Sequence, residues 1–214
     1  MADRSIEDRL REEYFDLVPD IRRVAQQLEA ETKYHTLPIS RTLERHEQLQ
    51  VTSRIKECDS AVDALRRRQE SGTFDQNQPD LYSLLTLRDL AGVRVLVFPP
   101  KRLADVDQVL RAQFPAWIPD PFPQANILGH KYYGFCAECS DKIQGEYQVL
   151  SMLTGLFWEV EHEAFYKPTP RLKGIERHPD MKQRNDEVYV ALRTWEDQFE
   201  HLALQGEDSS DESA

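Results

Sequence analysis

Apolar positions recur at helical spacing from the start of the chain. Ile6, Leu10, Tyr14, Leu17, Ile21, Val24 and Leu28 predict a helix over residues 5–30, with Pro19 as a break or kink. Pro38-Ile39-Ser40 is expected to cap or turn the chain. Leu43, Leu49, Ile55, Val62 and Leu65 predict a second helical region over 42–70, with Thr52 and Ser53 as an interruption. Residues 71–80 hold Gly72 and Pro79 and few apolar side chains, so they read as loop; 81–87 read as a short helix or strand lead-in.

The pattern then changes. Gly92 to Phe98 is a nearly continuous apolar run, closed by Pro99-Pro100, and reads as a buried strand. Leu103, Val106, Val109 and Leu110 follow on one helical face. Pro115, Pro119, Pro121 and Pro123 predict an irregular loop. Residues 131–139 and 146–150 read as two strands of a hairpin about the turn at 141–145. Helices are expected over 152–166, before Pro168 and Pro170, and around 184–204 through Val188, Ala191, Leu192, Trp195 and Phe199. The alternation of strand and helix predicts an α/β (mixed α+β) fold, a small mixed sheet flanked by helices. No internal repeat or linker divides the chain.

With 38 acidic and 27 basic residues among 214, the formal charge is −11. That balance argues against coating nucleic acid, which needs a basic surface, but leaves room for a local cationic pocket. The run from Glu207 to Ser213 contains only Asp, Glu and Ser and predicts a disordered acidic tail. Cys136 and Cys139 fall within an expected strand, where they would point to opposite faces, and no second pair completes a zinc site. Reduced thiols and a cytoplasmic location are the default expectations, with no signal peptide and no membrane-spanning run.

The candidate chemistry gathers at strand ends. Asp89 precedes the apolar run and Glu146 opens the last strand. Two carboxylates there either hold one Mg²⁺ against nucleotide phosphates or are a solvated Asp and an edge Glu. The order of the polar segments adds to this: Arg54-Ile55-Lys56 with Ser60, Asp89 to Arg94, Gly129-His130-Lys131, Glu146-Tyr147-Gln148, then Trp158 to His162 followed by Tyr166-Lys167. In this order they resemble the synthetase domain of the RelA/SpoT alarmone enzymes, particularly the small single-domain relatives, over residues 45 to 167.

The resemblance implies a nucleotidyltransferase-like fold. It also implies Mg²⁺-dependent transfer of pyrophosphate from ATP to the 3′-hydroxyl of GDP or GTP. One branch of the family uses the tRNA 3′ end instead and acts as a toxin; a catalytically inactive nucleotide-binding or interaction module is the third alternative. By the same resemblance Asp89 and Glu146 are catalytic and metal-binding. Arg54, Lys56, Ser60, Arg94 and His162 bind ATP phosphates, and His130, Lys131, Tyr132, Tyr133 and Gln148 bind the acceptor. Small members often form homo-oligomers.

The implied organisation is a helical extension (1–40), the synthetase-like domain (41–170), a C-terminal helical region (171–204) and the tail (205–214). Four positions depart from the family pattern. Ala64 replaces a lysine, with Arg66, Arg67 and Arg68 nearby; His130 stands for the base-stacking tyrosine, unless the alignment slips and Tyr132 or Tyr133 takes its place, Gly134 for a histidine and Leu150 for an arginine.

Overall fold

The computed structural model describes residues 5–120, 127–136, 140–166 and 178–211. Helix α1 spans Ile6–Arg41. Ser5 caps it by accepting from the Asp8 amide at 3.1 Å. The helix passes through both Pro19 and Pro38, where a break and a turn were expected. Both prolines are on its exposed side, where water can take the carbonyls that proline leaves unpaired. Its apolar stripe, from Ile6 to Leu28, is part of the central core.

The expected helix over 42–70 is two elements. Gln48–Ile55 is strand β1, and Cys58–Arg66 is helix α2. The stretch Gln-Leu-Gln-Val-Thr-Ser-Arg-Ile alternates with period two, sending Leu49 and Val51 to the core and Gln48, Gln50, Thr52 and Arg54 to the opposite face. Strand β2 (Ala91–Phe98) is buried along its whole length. Helix α3 (Arg102–Gln113) follows, then the two-residue strand β3 (Ile118–Pro119), within the stretch expected to be irregular. Strands β4 (Gly129–Phe135) and β5 (Gln144–Ser151) form the predicted antiparallel hairpin.

The five-stranded sheet has the order β1-β2-β5-β4-β3. Among the described residues only β2 and β5 run parallel, with Gly92 opposite Glu146 and Arg94 opposite Gln148. Helices α1 and α3 cover one face. Helix α4 (Met152–Glu161) covers part of the other, and α5 (Pro179–Asp211) packs against α4. Gly155 lets α4 come down on the sheet, since a Cβ there would stand 2.7 Å from the Leu96 side chain. Leu96, Ile127, Leu150, Trp158 and Tyr189 form a second small core at this contact.

α4 ends earlier than expected, and a π-type turn covers His162–Tyr166. α5 begins before the expected Arg184 and continues to Asp211, within the acidic run. Strand β4 stops at Phe135, so Cys136 lies beyond it; Cys136 is disulfide-bonded rather than reduced, and Cys58 is a free thiol. Cys139 and Lys167 lie outside the described residues. No helix among the described residues is long and apolar enough to cross a membrane. Phe15, Tyr34 and Leu37 on α1 and Val190, Trp195 and Leu202 on α5 are exposed.

Candidate active site

The polar face of the sheet opens into a cavity of about 900 Å³. The register explains how it is assembled. Arg54 stands at the end of β1, Arg94 in β2, Glu146 and Gln148 in β5 and Lys131 in β4, all on one face. Lys56 and Asp89 flank β1 and β2 at the same edge. Two backbone bonds fix Lys56: its amide donates to Leu90 O at 2.9 Å, and its carbonyl accepts from Tyr14 Oη at 2.8 Å. Ser60, on the first turn of α2, and His162, after α4, complete the wall.

The charges are interlocked. Lys56 Nζ donates to Asp89 Oδ2 at 2.5 Å. Burial alone would push the Asp89 carboxyl up; Lys56, with Arg54 and Lys131 further away, outweighs it and holds the carboxyl below the usual range. Glu146 is only 1 % exposed. It accepts from Gln148 Nε2 at 2.5 Å, with Lys131 Nζ at 3.2 Å and Arg54 Nη1 at 4.0 Å. Lys131 also lies 4.9 Å from the Tyr133 ring centre; burial opposes its charge, but Glu146 more than compensates and raises its pKa. Burial lifts the Tyr133 hydroxyl to about 12 despite Lys131, and that hydroxyl donates to Asp120 Oδ2 at 3.1 Å.

Arg94 is held on three sides. Its Nε donates to Gln148 Oε1 at 3.1 Å, Nη1 pairs with Glu159, and the guanidinium lies over Trp158 at 4.6 Å. Burial and the neighbouring Arg54 lower its pKa.

The cavity therefore brings together Asp89, Glu146, Arg54, Lys56, Ser60, Arg94, His162, Lys131 and Gln148. It does not bring in His130 or Tyr132. Both point to the opposite face and line a second cavity against α3. Tyr132 is buried there, stacked 4.7 Å from Tyr147, with its hydroxyl 3.4 Å from Asp107. The reason is strand parity: neighbours in a strand cannot share a face. Tyr133 is on the same strand face as Lys131, and beside it, but is not among the residues that line the cavity.

Arg66, Arg67, Trp158 and Glu159 also line the cavity. The run Arg66 to Arg68 hinted at the first two. Arg68 turns away to the Thr86 carbonyl at 3.1 Å. Six cationic and six acidic residues line the cavity, so it is formally balanced in a chain of charge −11.

No group of three or more His, Cys, Asp or Glu side chains is placed to hold a metal among the described residues. A Mg²⁺ site does not need one, because this ion commonly takes one or two carboxylates, waters and substrate phosphates. Asp89 and Glu146 offer such oxygens in one cavity, beside cations suited to phosphate.

No protein-family model matches the sequence, and no curated protein sequence does. Solved structures match over nearly the whole length. Small alarmone synthetase 1 from Bacillus subtilis superposes with a TM-score of 0.64 at 14% identity, over 92% of this chain and 99% of that one. The same protein bound to AMPCPP gives 0.61 at 15% identity, over 92% and 99%. Bound to its product pppGpp it gives 0.59 at 15%, over 89% and 96%. The chain has the fold of the small alarmone synthetases.

Within that small alarmone synthetase fold, two departures from the family motifs have local causes. Gly134 lies against Trp117: a Cβ there would come within 2.4 Å of the indole. The ring thus fills the space that the histidine expected at this position would need. Leu150, in place of an arginine, is fully buried in the small core beneath α4.

Proposed function

We propose that the protein transfers pyrophosphate from ATP to the 3′-hydroxyl of GDP or GTP, releasing AMP. The observation that carries this reading is the single cavity that joins Asp89 and Glu146 to Arg54, Lys56 and Lys131. The likeness to a synthetase seen with AMPCPP and with pppGpp supports it. The acceptor oxygen forms a bond to the β-phosphorus, the bond from that phosphorus to the α,β-bridging oxygen breaks, and AMP leaves with that oxygen. Glu146 orients the 3′-hydroxyl and takes its proton. Arg54, Lys56, Ser60 and His162 hold the triphosphate; Lys131 faces the acceptor. Asp89 and Glu146 would hold Mg²⁺, which supplies charge neutralisation at the phosphates when bound.

A second reading concerns the acceptor. His130 and Tyr132 lie on the far face from Glu146, so of the segment matched to the acceptor motif these two do not line this cavity, whereas Lys131 does. That favours an altered acceptor, such as the tRNA 3′ end. The test is incubation with ATP labelled at its β-phosphate and Mg²⁺, offering GDP, GTP and deacylated tRNA in parallel. Label on a guanosine nucleotide with matching AMP release is expected. Label on tRNA selects the second reading. Nucleotide binding without transfer to any acceptor overturns both and leaves a binding module.

A further inference from the structure

Arg94 and Gln148 line the cavity and are tied into one line of contacts, Arg94 through Nε and Nη1 and Gln148 through both ends of its amide. Arg94 Nε can only donate, so Gln148 must turn its carbonyl oxygen toward it, at 3.1 Å. The Gln148 amide nitrogen is then forced to the other side, where it donates to Glu146 Oε1 at 2.5 Å. Arg94 is itself fixed by Glu159 and by the Trp158 ring, both on α4. The contacts therefore run in one line, from α4 through Arg94 and Gln148 to Glu146. All but Glu159 are largely buried.

We infer that Arg94 and Gln148 are positioning residues: they transmit the placement of α4 to the Glu146 carboxylate and fix the direction from which it meets the acceptor hydroxyl. This rests on the proposed transfer reaction for its kinetic consequences. Its geometric content stands without it. An arginine is required because a planar fork can donate to two partners while stacking on an indole, which a lysine ammonium cannot.

The experiment compares R94K, Q148L, E159Q and the R94K/Q148L double variant. R94K keeps the positive charge and loses the fork. Steady-state kinetics should show kcat lowered on the order of tenfold to a hundredfold, as for a misplaced reacting group, with the ATP KM and the Kd for AMPCPP unchanged. Q148L should match it, and the double variant should be no worse than either single change, because both remove one relay. E159Q should lower kcat by roughly threefold through the same path. Its half-exposed carboxylate makes it the variant to rely on should R94K fail to fold.

A raised ATP KM with unchanged kcat in R94K would make Arg94 a phosphate ligand and overturn the inference. So would additive losses in the double variant. If the wild-type chain transfers pyrophosphate to no acceptor, the proposed function fails by itself. Crystal structures of E159Q and Q148L then decide the positioning role: Glu146 should leave its rotamer and turn toward Lys131, and an unmoved carboxylate refutes it.

Discussion

One face of the central strands carries Arg94, Gln148, Glu146 and Lys131; the next residues along the same strands, Val93, Val95, Tyr147 and Tyr132, are packed under α1 and α3. The strands are shared and the burial is similar, but the two faces are stabilised differently. The apolar face relies on area and ring stacking, with Tyr147 between Tyr132, Trp117 and Phe114 at 4.7 to 5.7 Å. On the polar face each buried charge has an opposite charge or amide beside it, because an unpaired one would be costly. Changes on the first face should therefore unfold the protein, and changes on the second should silence it.

The sharpest contrast is between Asp89→Ala and Tyr147→Ala. Asp89→Ala should lower pyrophosphate transfer by at least about a thousandfold, since the metal it would help hold supplies several kcal/mol of charge stabilisation. Its circular dichroism spectrum should stay that of the wild type. Transfer at the wild-type rate would remove Asp89 from the site. Tyr147→Ala should cost about 3–5 kcal/mol in urea denaturation, as large aromatic truncations in cores do. A loss below about 1 kcal/mol would mean that the stacked face does not carry the fold.

Gly134→His restores the motif's histidine on the wrong face for the cavity. It should destabilise by about 1–3 kcal/mol through overpacking against Trp117, without raising transfer activity. Trp117→Ala in the same chain should recover part of that loss. Additive destabilisation would show that the ring is not the obstacle.

The smallest effects concern pH, and two carboxylates should have opposite signs. Asp89 has a folded pKa lowered by Lys56 against the opposing effect of burial, so its contribution to stability is complete above its unfolded value, about 3.9, and is lost as pH falls through the folded value. Glu196, on α5, has its pKa raised by burial; it is bonded to the Ser151 hydroxyl and the Leu153 amide. The folded state then binds the proton more tightly, so stability falls as pH rises from about 4.3 to the folded value. Denaturation midpoints against pH should lose the first limb in Asp89→Asn and the second in Glu196→Gln. Unchanged profiles would contradict the assignments.

Much of this was legible in the sequence. The apolar run of β2, the α3 periodicity and the β4–β5 hairpin were all predicted within a few residues. β1 was not, because Leu49 and Ile55 also fit a loose helical spacing with Leu43 and Val62, which hid the alternation of Gln48 to Ile55. Proline reads as a breaker in sequence, but Pro19 and Pro38 face solvent on α1 and interrupt nothing. At the site, nine residues expected there do line one cavity. The error lay in keeping His130 to Tyr133 together, when period two alone divides them into two pairs. The Trp158 and Glu159 hold on Arg94 depends on how α4 crosses the sheet, and no local pattern encodes that crossing.

The balanced charge of the cavity, inside a chain of charge −11, has a kinetic consequence. In the proposed reaction a nucleoside triphosphate would approach through a repulsive outer field and meet attraction only within the last few ångströms. Added salt screens the outer field beyond about 8 Å at physiological strength and leaves the contact pairs largely intact. Nucleotide association should therefore speed up with ionic strength, the reverse of an electrostatically steered encounter.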